Sequence, residues 1–161
     1  MSTPVAAHWE ARPDRRVACH LCPVGCVLRP GQTGPCGTRA NEDGRMVALR
    51  YGKLVAAGID PIEKKPLYHF LPGSPILSVA GTGCNLHCAF CQNWNLSQRH
   101  DGATEDLSPA QVVALARDHG SDGIAYTYSE PLVWFEFVRD TARLAHDAGL
   151  VNVIVSNGYI E

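Results

Sequence analysis

A chain of 161 residues with 45% hydrophobic and 19% charged content can bury one core and is too apolar for disorder. Its net charge of −2 argues against a dominant nucleic-acid surface, and its apolar runs are too short for a membrane span. The seven cysteines fall into two groups, Cys19, Cys22, Cys26, Cys36 and Cys84, Cys88, Cys91; an odd count with C-x2-C spacing fits metal ligation better than a disulfide framework. That chemistry implies a reducing cytoplasm, and residues 1–16 show no apolar core of a secretory signal.

Residues 1–16 are polar, with Pro4, Pro13, Arg12, Arg15 and Arg16, and read as a mobile lead-in. Residues 17–73 read as a small cysteine-bearing module followed by a linker. Its four thiols are close enough in sequence to converge on one metal, and Pro30-Gly31 and Gly34-Pro35-Cys36-Gly37 supply the turns. Four closed sulfur ligands suit structural zinc, the first expectation, and equally a second four-iron cluster. Asn41-Glu42-Asp43-Gly44 reads as a turn. Residues 45–50 and 54–57, on either side of Tyr51-Gly52-Lys53, read as a short hairpin. Prolines in 60–73 argue against a long helix and mark a linker or lid; Lys64, Lys65, Tyr68 and His69 are expected in solvent, with a place facing the site as the alternative.

From residue 74 the pattern becomes regular. Residues 76–80 are a buried strand, ended by Gly81-Thr82-Gly83. Ser108 and Pro109 start a helix as N-cap and first helical residue. Val112, Leu115 and Ala116 face inward, and Gly120 ends it. Residues 123–128 are a second strand. Pro131 opens a second helix with Trp134, Phe137, Val138, Thr141, Ala145 and Ala148 inward and Glu136, Arg139, Asp140, Arg143 and Asp147 outward. Residues 151–155, mostly β-branched, are a third strand covered on both faces. This alternation predicts a parallel α/β fold with right-handed crossovers. The candidate functional stretches 84–91, 128–130 and 156–158 each follow the carboxyl end of a strand, where barrels and doubly wound sheets both place their sites.

The second cysteine group lies in Gly83-Cys84-Asn85-Leu86-His87-Cys88-Ala89-Phe90-Cys91-Gln92-Asn93-Trp94, at C-x3-C-x2-C spacing with no later cysteine. Thiolates are the usual ligands of iron–sulfur clusters, and a cubane has four irons, so three cysteines leave one iron without a protein ligand. An open position of that kind admits a substrate-like ligand, as at catalytic zinc; a zinc or ferredoxin-type site is the alternative. The loop resembles the radical S-adenosylmethionine (SAM) superfamily through Cys84, Cys88, Cys91 and the aromatic Phe90 before the third cysteine. The resemblance implies a [4Fe-4S] cluster whose open iron chelates SAM. It implies reductive cleavage of SAM to a 5′-deoxyadenosyl radical and hydrogen abstraction, with Phe90 near the adenine; the cofactor carries that chemistry. It also selects a partial (β/α)6 barrel over a doubly wound sheet.

Radical SAM proteins often carry Gly-Gly-Glu-Pro, which helps hold the amino group of SAM, where this chain has Tyr128-Ser129-Glu130-Pro131. Glu130 and Pro131 match, and a carboxylate pairs naturally with an ammonium; Tyr128 and Ser129 replace the glycines. Glu130 equally suits the positive end of the helix dipole. Ser156-Asn157-Gly158 resembles the Thr-Asn-Gly segment of glycyl-radical-enzyme activases, with Ser156 and Asn157 as candidate cofactor contacts, although Asn-Gly is also a common turn. Cys22-Pro23-x-x-Cys26, the whole of segment 60–73, Cys91-Gln92-Asn93-Trp94 and Thr127-Tyr128-x-Glu130-Pro131 are together similar to the AmmeMemoRadiSam radical SAM proteins, relatives of pyruvate formate-lyase activating enzymes.

The expectation is therefore a radical SAM enzyme served by an electron donor such as a flavodoxin or ferredoxin. Its substrate is not fixed by the motifs, and an activase role on a protein is analogy alone. The competing expectation is a non-enzymatic iron–sulfur or zinc protein for electron transfer or interaction. Residues 74–161 supply three of the six strands of the barrel. The chain is accordingly expected to be a C-terminally truncated catalytic domain, with the edge of its third strand open.

Overall fold

The computed structural model describes residues 3–161. Strands β1 (Trp9–Arg12), β2 (Arg16–Cys19) and β3 (Val27–Leu28) form a three-stranded antiparallel sheet. Asp14 and Arg15, both in left-handed backbone conformation, make the reversal that sets Arg12 opposite Arg16. The segment expected as a mobile lead-in is thus in part a strand, and its first two residues lie outside the described residues. Strands β4 (Arg39–Glu42) and β5 (Arg45–Ala48) form a hairpin about the expected turn at 41–44. There the Gly44 N–H donates to Asn41 Oδ1 at 2.7 Å.

The hairpin expected between 45–50 and 54–57 does not form. Met46 and Val47 are already buried, with Met46 in a small core with Ala6, Val17 and Leu28. The chain after them therefore finds other partners. Strand β6 (Lys53–Leu54) pairs with the distant β9 (Glu105–Asp106). Strand β7 (Ala56–Pro61) runs antiparallel to β8 (Pro75–Ala80). The last strand of the expected cysteine module thus belongs to the main sheet.

That sheet has the order β11-β10-β8-β7, with β10 (Gly123–Tyr126) and β11 (Val151–Ile154) parallel to β8. Helix α1 (Trp94–Ser97) is a single turn inside the cysteine loop. Helix α2 (Pro109–Asp118) starts where expected. Ser108 Oγ accepts from the Gln111 N–H while Gln111 Oε1 accepts from the Ser108 N–H, a reciprocal cap that quiets two orphan donors. Pro131–Trp134 is a 3-10 turn, and helix α3 (Phe135–Asp147) begins only after it.

Alternation along the strands gives the sheet two faces. Leu77, Val79, Ile124 and Tyr126 pack beneath Val112, Val113 and Ala116 of α2 and Phe137, Val138 and Ala145 of α3. Burying each large side chain there contributes about 1.5–3 kcal/mol. Ile76, Ala125 and Val153 point to the helix-free face, where Ile62 and Leu67 of the linker cover them. Three expectations fail at the margins. Ala148 is exposed just past the end of α3. On β11, Asn152 and Ile154 are exposed, because it is an edge strand rather than one covered on both faces. Glu136 is buried rather than outward, because the N-terminal sheets dock on that flank of α3: it pairs with buried Arg39 at 2.5 Å and accepts from the Ala7 N–H at 2.7 Å.

Candidate active site

The chain leaves β8 through Gly81-Thr82-Gly83, and two of these positions require glycine. A Cβ on Gly81 would lie 2.8 Å from the Trp134 ring. Gly83 has φ +106° and packs so closely on residue 36 that a Cβ would overlap the Cys36 carbonyl oxygen. The cysteine loop follows. Cys84 is half-buried: its Sγ accepts from the Leu86 N–H at 3.4 Å and lies 3.7 Å from Asn157 Nδ2. Cys91 Sγ is 3.5 Å from the buried Ser97 Oγ, and Cys88 is exposed. All three thiols line one cavity of about 290 Å³ together with Glu130, Ser156 and Asn157. Burial pushes the Cys84 thiol above its ordinary pKa. The Leu86 N–H opposes this, and the negative charges of Glu130, Cys88 and Cys91 add to it. Cations would reverse that balance and hold the thiols as thiolates.

Glu130, at the tip of β10, ties the three strand ends together. Its Oε1 accepts from the Leu132 N–H at 2.9 Å, capping the 3-10 turn, and from Ser156 Oγ at 2.8 Å; its Oε2 accepts from the Asn157 N–H at 2.8 Å. Asn157 Nδ2 donates in turn to Asn85 Oδ1 at 3.0 Å, next to Cys84. Five of the expected residues around the cysteine loop thus meet, with Cys88 as a sixth on the cavity rim. Phe90 does not join them: its ring is 89% exposed and is absent from the cavity wall.

Sequence reasoning passed over several residues that hold this arrangement. Asn93 Nδ2 donates to the Tyr128 carbonyl at 2.9 Å, fastening the cysteine loop to the tip of β10. Tyr128, where the resemblance has a glycine, keeps a glycine-like φ of +68°. Its hydroxyl donates to Asp60 Oδ2 at 2.8 Å. Asp60 also accepts from Ser78 Oγ at 2.7 Å, Lys64 Nζ at 2.8 Å and Lys65 Nζ at 2.9 Å. Lys65 was expected in solvent but is buried, because this carboxylate pairs with it. Burial pushes Asp60 up, but the bonds from Lys64, Lys65, Ser78 and Tyr128 together outweigh it and hold the carboxyl below the ordinary range.

Cys19, Cys22, Cys26 and Cys36 line a second, smaller cavity of about 20 Å³ with apolar walls that include Leu21, Leu28 and Val133. Burial, then the neighbouring Cys19, Cys36 and Cys22, pushes Cys26 up to about 11. Among the described residues no three Cys, His, Asp or Glu side chains are gathered tightly enough for a single metal ion. A four-iron cubane spreads its thiolates more widely than one ion does. Zinc therefore has no support at either cysteine group. No helix among the described residues is long and apolar enough to cross a membrane.

An uncharacterized protein of Methanocaldococcus jannaschii, MJ0808, is 42% identical over 158 residues, which are 97% of this chain and 47% of that protein. The chain therefore spans about half the length of that curated relative. The Radical SAM superfamily matches residues 78–161, a stretch that runs from the middle of β8 past the Asn157 turn. That match takes in just over half of the chain and every residue of the strand-tip site, and the chain belongs to the radical SAM superfamily.

Proposed function

We propose that the chain is the cluster- and SAM-binding part of a radical SAM enzyme of the AmmeMemoRadiSam type. The observation that carries this reading is the triad of Cys84, Cys88 and Cys91 opening on one cavity beside Glu130, while the remaining cysteines line a different cavity. Three thiolates would hold three irons of a cubane and leave the fourth for SAM. When reduced, such a cluster supplies one electron that cleaves SAM and starts hydrogen abstraction. Glu130 is buried and uses Oε2 for a single internal bond, so it retains acceptor capacity for the amino group of SAM. Ser156 and Asn157 orient Glu130, and the exposed ring of Phe90 is an apolar surface on the same loop that an adenine would cover.

A low-potential donor of the flavodoxin or ferredoxin class supplies the electron. An activating role on a protein substrate, as in pyruvate formate-lyase activating enzymes, rests on family likeness alone. The test is anaerobic reconstitution with iron and sulfide, followed by SAM binding and 5′-deoxyadenosine formation. Cluster loading with perturbation of its electron paramagnetic resonance (EPR) signal by SAM is expected. A cluster indifferent to SAM would return the chain to the electron-transfer class.

A further inference from the structure

The three thiols of the triad do not share hydrogen bonds evenly. Cys84 Sγ has the Leu86 N–H at 3.4 Å and Asn157 Nδ2 at 3.7 Å. Cys88 is exposed to solvent. Cys91 Sγ meets Ser97 Oγ at 3.5 Å, and both residues line the strand-tip cavity. Ser97 is 2% exposed and ends helix α1. Serine hydroxyls in helices commonly turn back onto a nearby carbonyl; this one turns to sulfur instead.

Its hydroxyl carries one proton and two lone pairs. Gln98 Nε2, 3.3 Å away, occupies a lone pair, which leaves the proton for the sulfur. A thiolate that ligates iron has no proton to give, so in the loaded site Ser97 is the donor and Cys91 the acceptor. The hydroxyl is fixed from two sides. Gln98 Nε2 also donates to the Leu86 carbonyl at 2.9 Å, which ties the Cys91 end of the loop to the Cys84 end. The Leu96 and Ser97 N–H groups both donate to the Asn93 carbonyl at 3.0 Å, and Asn93 Nδ2 is held in turn by the Tyr128 carbonyl.

We infer that Ser97 tunes the reduction potential of the cluster that the triad holds. This role rests on the reading of the triad as a cluster site; it does not require that SAM bind. Hydrogen bonds to the sulfurs help set a cluster's potential. One-electron reduction makes the cluster more negative and its thiolates better acceptors. The Ser97–Cys91 bond is therefore stronger in the reduced state, and it raises the potential that a donor of the flavodoxin or ferredoxin class must match. The electron comes from that donor; no bond breaks and no proton moves.

The test is an anaerobic redox titration read by EPR, without SAM, on the wild type and Ser97→Ala. This substitution removes one oxygen and leaves Gln98 Nε2 its Leu86 carbonyl, so the loop keeps its other bonds. The triad signal is the one missing from the C84A/C88A/C91A protein. Its midpoint should fall by about 59 mV in Ser97→Ala, a tenfold loss in the one-electron reduction equilibrium. In electron–nuclear double resonance the reduced wild-type cluster should show a coupled exchangeable proton that Ser97→Ala lacks. Equal midpoints would overturn the proposal. A lowered midpoint with every exchangeable coupling retained would overturn it too, since packing rather than the hydrogen bond would then set the potential. A wild-type cluster that ignores SAM would remove the proposed function and leave the effect of Ser97 measurable. A triad that takes up no iron would remove both.

Discussion

Tyr128 sits in a conformation that costs most residues about 1–2 kcal/mol, and its side chain explains why it is tolerated. The hydroxyl reaches buried Asp60, Lys65 lies 5.2 Å over the ring, and the carbonyl receives Asn93. Tyr128→Phe keeps the ring and loses a bond to a charged acceptor, so it should cost about 2 kcal/mol in urea unfolding and weaken SAM binding more than cluster loading. Equal SAM affinity in the two proteins would show that the phenol does not position the site. Asp60→Asn should cost more, about 3–5 kcal/mol, because it leaves the Lys65 charge buried without its partner. It should also change the acid response. The folded-state pKa of Asp60 is lowered, so its stabilisation is complete above the unfolded value of about 4 and is lost as pH falls through the folded one. The wild type should therefore lose stability below about pH 4 more steeply than Asp60→Asn. Parallel acid-unfolding curves would contradict this. None of this network was legible in the sequence. Asp60, Ser78 and Tyr128 lie on three different strands or their ends and share no local period, so only the triad spacing and the Glu130-Pro131 pair announced the site.

The elements divide by how local their causes are. The start of helix α2 was legible because it is written in Ser108 and Pro109, within one turn. Ser108→Ala should cost about 1 kcal/mol. Of the N-terminal hairpins only the turn at 41–44 was legible. Short strands carry little periodicity, and β6 finds its partner β9 some fifty positions away. Glu136 was misplaced for the same reason: a helical wheel assigns an acid outward unless something docks there, and here Arg39 does. A buried pair of this kind breaks expensively from one side. Glu136→Ala should cost about 3–5 kcal/mol, whereas replacing both partners with apolar residues of similar volume should be near neutral. Thermal unfolding of the two singles and the double variant checks this, and additive losses would show that the pair is not coupled. Phe137→Ala, at the stacked contact with Trp134, should cost about 3–5 kcal/mol through the cavity it leaves.

At the scale of the molecule, the expected division into a cysteine module and a barrel segment describes the sequence better than the packing. β7 joins the main sheet, Tyr51 reaches across to Asp140 at 2.8 Å, and Trp134 Nε1 donates back to the Arg50 carbonyl at 2.6 Å. The parallel α/β order was legible because each βα unit is continuous in sequence. The docking was not, because it rests on contacts that skip the unit between. The Gly83–Cys36 contact joins the backbone of one cysteine group to that of the other. If filling one cavity fixes the Cys36 backbone, it also fixes the frame in which Cys84 receives iron, and linkage requires the converse to hold equally. Partially reconstituted protein should then populate empty and fully loaded chains at the expense of half-loaded ones, which native mass spectrometry would resolve. Gly83→Ala, which forces the two backbones apart, should abolish that all-or-none loading before it abolishes the fold.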